Sequence, residues 1–175
     1  MRPEVSIYAR KVFYEGMFDH DTVLERPVPK CFEKNVQFIN YNVNRPIPIQ
    51  ENKLTGSTSK INVKEAELAT NLAWFLIRYG YKPSQITILT YYKGQVTELR
   101  RVQEKLKKIP MGQVQMDVDI QTVDNFQGQE NDIIIISCVR ANSQQAAGFT
   151  KVQIGPMWCC HARVKPCLSL VILRC

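Results

Sequence analysis

The string TVDNFQGQE, Thr122 to Glu130, gathers side chains and a glycine that suit phosphate handling. Gly128 lies inside QGQE, where a missing Cβ lets a backbone approach a phosphate. Gln127 can orient such a loop, and Glu130 closes it with a carboxylate. Without the flanking string, the same residues read as a polar strand-to-helix loop with an ordinary surface glutamate. A second string, ITILTYYKGQ from Ile86 to Gln95, places Thr90, Tyr91 and Tyr92 after an apolar run. Small hydroxyls such as Thr90 and Thr122 can bond successive phosphates and leave the bases unread. Tyr91 and Tyr92 can stack on a base, or lie half-buried at a strand end. Arg140, in the third string (VRAN, Val139 to Asn142), can touch phosphate or lock its own loop. Of the six cysteines, four (Cys159, Cys160, Cys167, Cys175) fall in the last 17 residues. Their spacing lacks the C-x2-4-C pairs of zinc sites, so no metal site is read from them.

These strings need strands and helices to hold them. Val36 to Tyr41 reads as a strand, and the aperiodic stretch Asn42 to Ser59 as a surface loop. Asn62 and Glu65 have capping-box spacing and open a helix. Leu68, Ala69, Leu72, Phe75, Leu76 and Tyr79 give that helix an apolar face, and Gly80 ends it. Ile86 to Leu89 forms a buried strand. A second helix runs from about Gly94 to Lys108 with Val96, Leu99, Val102 and Leu106 inward. Val118 to Val123 and Ile133 to Cys138 are further strands, the latter apolar on both faces as a central parallel strand requires. The alternation predicts an α/β parallel sheet with helices on its faces. Ligands of such sheets sit at the carboxyl ends of the strands, which is where the three strings lie.

Together the strings resemble the second RecA-like domain of superfamily 1 helicases. The nearest group is the up-frameshift-like RNA helicases, and within it the NFX-type zinc-finger-containing helicases. TVDNFQGQENDIIIISCVRAN is similar to that group's motif V and following strand. ITILTYYKGQ resembles its strand ending in T-x-Y-x-G-Q, and MRPE resembles the end of its Q-Y-R-M-R-P-E string. The resemblance covers about residues 1–151. It implies a RecA-like, P-loop-NTPase-type parallel sheet flanked by helices, here an incomplete second helicase domain. It implies ATP with Mg2+ as the parent's cofactor, bound between two RecA-like domains. Gln127, Gly128 and Glu130 would face the nucleotide, with Glu130 helping to hold the attacking water. Thr90, Tyr91, Thr122 and Arg140 would face nucleic acid. The implied partners are single-stranded RNA (with DNA as the weaker alternative), the first RecA-like domain in cis, and RNA-silencing or decay factors. No G-x-x-x-x-G-K-[ST] loop and no strand-end Asp-Glu pair for Mg2+ occurs in the chain, so the fragment alone is expected to be inactive. The alternative is a non-catalytic nucleic-acid-binding or scaffold module.

After GFTK, at Gly148 to Lys151, the family carries motif VI with its arginine finger, and this chain does not. A one-base shift after Val152 admits S-N-R-A-N-V-V-L-S-R-A-R. Met157/Trp158 and Trp158/Cys159 then force Val, and Cys159/Cys160 forces Leu. Residues 152–175 are therefore expected to be an out-of-frame tail lying outside the fold. Its loss of the last core strand predicts an unpaired sheet edge and poor solubility.

Composition excludes other classes. The 175 residues are 45% hydrophobic and 22% charged, enough to bury a core. No apolar run of about 18 residues exists, and Met1 to Ala9 lacks a signal-peptide core. The expectation is a cytoplasmic or nuclear protein with no membrane partner. The net charge of +7 favours an anionic partner only weakly, because Arg163, Lys165 and Arg174 of the tail contribute to it.

Overall fold

A computed structural model describes residues 3–12, 14, 16, 18–25, 32–39, 52–53, 59–108, 116–140 and 170–174. Asn142 and the GFTK string lie outside them. Three parallel strands form the centre: β4 (Ile86–Thr90), β5 (Asp119–Thr122) and β6 (Ile133–Ser137). Two short strands, β2 (Asn52–Lys53) and β3 (Lys60–Ile61), pair separately from that sheet, the first within the stretch read as loop and the second directly after it.

The full sheet order is β1-β7-β6-β4-β5, with β1 at Val36–Ile39 and β7 at Leu170–Arg174. β7 runs antiparallel to both β6 and β1. The expected open edge therefore does not exist: the outer side of β6 is fully laddered, from Ile133↔Arg174 to Ser137↔Leu170. The cause is backbone chemistry. An unpaired edge templates any β-rich segment within reach, and Leu170-Val171-Ile172-Leu173 is such a segment.

Alternation along the central strands divides the core. Ile86, Ile88, Ile133 and Ile135 are fully buried on one face, against α2 (Val63–Arg78) and α3 (Lys93–Lys107). Leu89, Ile134 and Ile136 point to the other face. There, among the described residues, Val36, Tyr91, Val123, Phe126 and Cys138 cover them. α2 meets the sheet through Ala66, Ala69, Ala73 and Leu76, and the small side chains let the helix approach closely. Gly80 adopts φ +98° just past α2, which only glycine takes without strain. Ile135→Ala is expected to cost about 2–5 kcal/mol, since it leaves a cavity between two helices and the middle of the sheet. Urea unfolding of the two proteins measures it.

A third helix, α1 (Pro3–Val12), is absent from the sequence-based prediction, which reads this segment only as the end of a helicase string. Proline at its first position and Glu4 in its first turn suit a helix start. Asn35 Nδ2 donates to Glu4 Oε1 at 3.3 Å and ties α1 to the entry of β1.

Candidate nucleotide and nucleic-acid site

β5 ends at Thr122, and the chain turns sharply there. The amides of Asn125 and Phe126 both donate to Thr122 O at 3.1 Å, and Gln129 N donates to Phe126 O at 3.0 Å. Thr122 Oγ1 also accepts from Asn125 N at 3.4 Å. The turn places Gln127, Gly128 and Glu130 at the surface, all exposed. Gly128 has φ +79°, and no atom of the described residues lies within 4 Å of where a Cβ would stand. Glycine is thus required here by the backbone, and the space beside it is open for a ligand.

The turn is pinned at its exit. Asn131 Nδ2 donates to Ser84 O at 3.0 Å and to Thr87 Oγ1 at 2.9 Å. Gln85 Nε2 donates to Asp132 Oδ2 at 2.8 Å. Ser84, Gln85 and Thr87 mark the amino end of β4, so the chain after Glu130 is fixed at that end of the sheet. Thr90 and Thr122 sit at the opposite, carboxyl end. The strand-end strings are therefore not one cluster. Glu130 adjoins the amino end of β4, whereas Thr90, Tyr91, Thr122 and Arg140 lie at the carboxyl end.

At that carboxyl end Thr90, Thr122 and Ser137 stand in register across three strands. Thr90 and Ser137 are fully buried and Thr122 nearly so. Thr90 Oγ1 has no hydrogen-bond partner. Tyr91 is half-buried against Leu89, Ile134 and Ile136, as a strand-end aromatic would be. Arg140 is half-buried, and its amide donates to Cys138 O at 2.7 Å, closing a tight turn after β6.

Sequence reasoning misses the polar core behind these residues. Asn62 Oδ1 caps α2 by accepting from Glu65 N at 3.0 Å, as the capping-box spacing predicts. The reciprocal bond is not made by Glu65. Asn62 N donates instead to Gln95 Oε1 at 2.8 Å, from the start of α3. That frees the Glu65 carboxylate to accept from Ser137 Oγ and Val139 N, both at 2.9 Å. Burial pushes the Glu65 carboxyl up to about 8, against the opposing effect of hydrogen bonds from Val139, Ser137 and Cys138. The only signal for it in the sequence is the ambiguity of N-x-x-E itself, which fits a cap or an inward acid.

The profile of the AAA domain family matches residues 1–154. The chain belongs to that family. A mouse protein, NFX1-type zinc finger-containing protein 1, is 34% identical over 152 residues, covering 87% of this chain and 7% of its own length. ATP-dependent helicase NAM7 of Saccharomyces cerevisiae is 34% identical over 162 residues, 86% of this chain and 16% of that protein. Helicase required for RNAi-mediated heterochromatin assembly 1 of Schizosaccharomyces pombe is 31% identical over 150 residues, 85% and 14%. The chain thus spans a small fraction of the curated relatives it matches. This AAA domain has the three-stranded parallel sheet and flanking helices of a RecA-like helicase motor domain. Among its described residues no helix is long and apolar enough to cross a membrane.

Proposed function

We propose that this AAA domain is the second RecA-like motor domain of an ATP-dependent superfamily 1 RNA helicase. The observation that carries the reading is the exposed turn after β5, with its left-handed Gly128 and the flanking Gln127 and Glu130. Such a turn fits the edge of a phosphate group, because the backbone can close on it and a carboxylate stands beside it. ATP with Mg2+ would be held between this domain and a first RecA-like domain carrying the metal ligands, and would supply the transferable phosphoryl group. Gln127 orients the turn, Gly128 admits the phosphate, and Glu130 holds the water. Tyr91 and Arg140, with the buried Thr90 and Thr122 directly behind them, mark the path of single-stranded RNA at the carboxyl end of the sheet, with contacts to backbone phosphate and one stacking ring. Separation of the two sets suits a motor, since nucleotide and nucleic acid then act on different ends of the same strands. The names of relatives that act in nonsense-transcript regulation and RNAi-mediated heterochromatin assembly support a parent in RNA surveillance or silencing, in cytoplasm or nucleus.

The same reading takes residues 1–151 as the partial domain and residues 152–175 as a shifted frame. Coding bases across codons 152 to 172 that cannot spell SNRANVVLSRAR reject the shift. For the domain itself, fluorescence anisotropy with a labelled oligouridylate is the test. Binding is expected to weaken by about tenfold or more between 50 and 200 mM salt, since a single strand loses about 0.7 log units per phosphate contact per log of salt. Salt-independent affinity, or none, rejects the RNA path.

A further inference from the structure

The buried cluster behind the strand ends holds an unusual backbone. Val139 has φ +69°, the one non-glycine with positive φ among the described residues. A β-branched side chain is strained in the left-handed region, and such strain persists only where the surroundings over-determine it. Here both backbone groups of Val139 are held from the start of α2. Its N–H donates to Glu65 Oε1 at 2.9 Å, and its carbonyl accepts from Asn62 Nδ2 at 3.3 Å. Ser137 Oγ donates to the same Glu65 oxygen. Gln95 Nε2 donates to Ser137 Oγ at 3.1 Å and to Asn62 O at 3.0 Å, tying α3 into the cluster.

Asn62, Glu65, Gln95, Ser137 and Val139 are all at most 1% exposed. An ordinary helix-start cap needs Asn62 alone. A buried carboxyl, a buried amide and a buried hydroxyl converging on one strained residue exceed that need, and each is costly to bury unless it is bonded. The residue that follows Val139 is Arg140.

We propose that Glu65, supported by Asn62 and Gln95, is a positioning residue that clamps Val139 in its left-handed turn and thereby aims Arg140 at RNA phosphate. This rests on the RNA reading of Arg140 given above. The clamp works through Oε1 as an acceptor. Burial keeps the Glu65 carboxyl largely protonated at neutral pH, so glutamine is its close mimic.

The test uses the 175-residue chain, labelled oligouridylate anisotropy, and amide hydrogen exchange at Val139. Glu65→Gln keeps the acceptor and is expected to bind within about twofold of the parent. Glu65→Leu removes it and is expected to weaken binding about tenfold and speed Val139 exchange by a similar factor, the usual loss for one buried hydrogen bond. Adding Val139→Gly to Glu65→Leu restores affinity, because glycine takes φ +69° unaided. A role confined to core stability would show no such rescue. Should Glu65→Leu not fold, Asn62→Ser keeps the cap, loses the amide bonded to Val139 O, and is expected to follow the same pattern at severalfold. Unchanged Val139 exchange in these variants overturns the clamp. Accelerated exchange with unchanged affinity overturns the aiming of Arg140. A parent chain that binds no RNA sinks the RNA reading and the aim of Arg140 with it, and the exchange arm still decides the clamp.

Discussion

Glu130→Gln, in the chain with its frame restored after Val152 and joined to a first RecA-like domain, is expected to lower RNA-stimulated ATP turnover by about a hundredfold or more. The amide matches the carboxylate in size and cannot accept the water's proton or share its developing charge. Glu130 is exposed, so the exchange should leave folding within about 0.5 kcal/mol. ATP and RNA affinities should stay near the parent values, since Gly128 and the distant strand ends are untouched. Steady-state hydrolysis at saturating ATP and RNA reads the effect. Turnover equal to the parent's removes Glu130 from the reaction.

The second large effect is on stability against pH. The Glu65 carboxyl titrates near 8 when folded and near 4.5 when exposed. Between those values the folded state binds more protons than the unfolded state, so stability falls as pH rises. The contribution is fully present below about pH 4.5 and is lost as pH passes about 8. A shift of this size corresponds to a change on the order of 3–5 kcal/mol across the window. Among the described residues its partners carry no charge: they are the Ser137 hydroxyl and the Val139 and Cys138 backbone. Urea midpoints from pH 4.5 to 9 should decline for the parent, with Glu65→Gln lacking this decline and becoming the more stable protein above pH 8. Parallel curves for the two proteins would show that burial does not hold this carboxyl up.

Much of the scaffold was legible because its signals are local. Ile133 to Ser137 is apolar on both faces, and it lies in the sheet beside β4 and β7. The apolar stripe on α2, its Asn62 cap and its Gly80 stop are each set within a few residues. The turn after β5 was legible as chemistry, though its exit toward the amino end of β4 was not, because Asn131 is anchored by Ser84 and Thr87 from another strand. The same reason hid Glu65. Spacing shows the bond Asn62 can offer it, and cannot show Ser137 and Val139, which arrive from β6. α1 is not legible because a motif resemblance occupies its residues. β7 is not legible because the shifted-frame reading places its residues in a tail, while the edge of β6 accepts any backbone of suitable length.

The position of β7 has a kinetic consequence. Among the described residues β1 is hydrogen-bonded to the sheet only through β7, from Val36↔Leu173 to Ile39↔Leu170. That ladder closes one of the longest loops in the chain, so it repays its entropy only after β4, β5 and β6 have assembled. β1 and β7 therefore join the sheet late and leave it early, as one cooperative unit. The central parallel strands, with their helices, form the part that opens last.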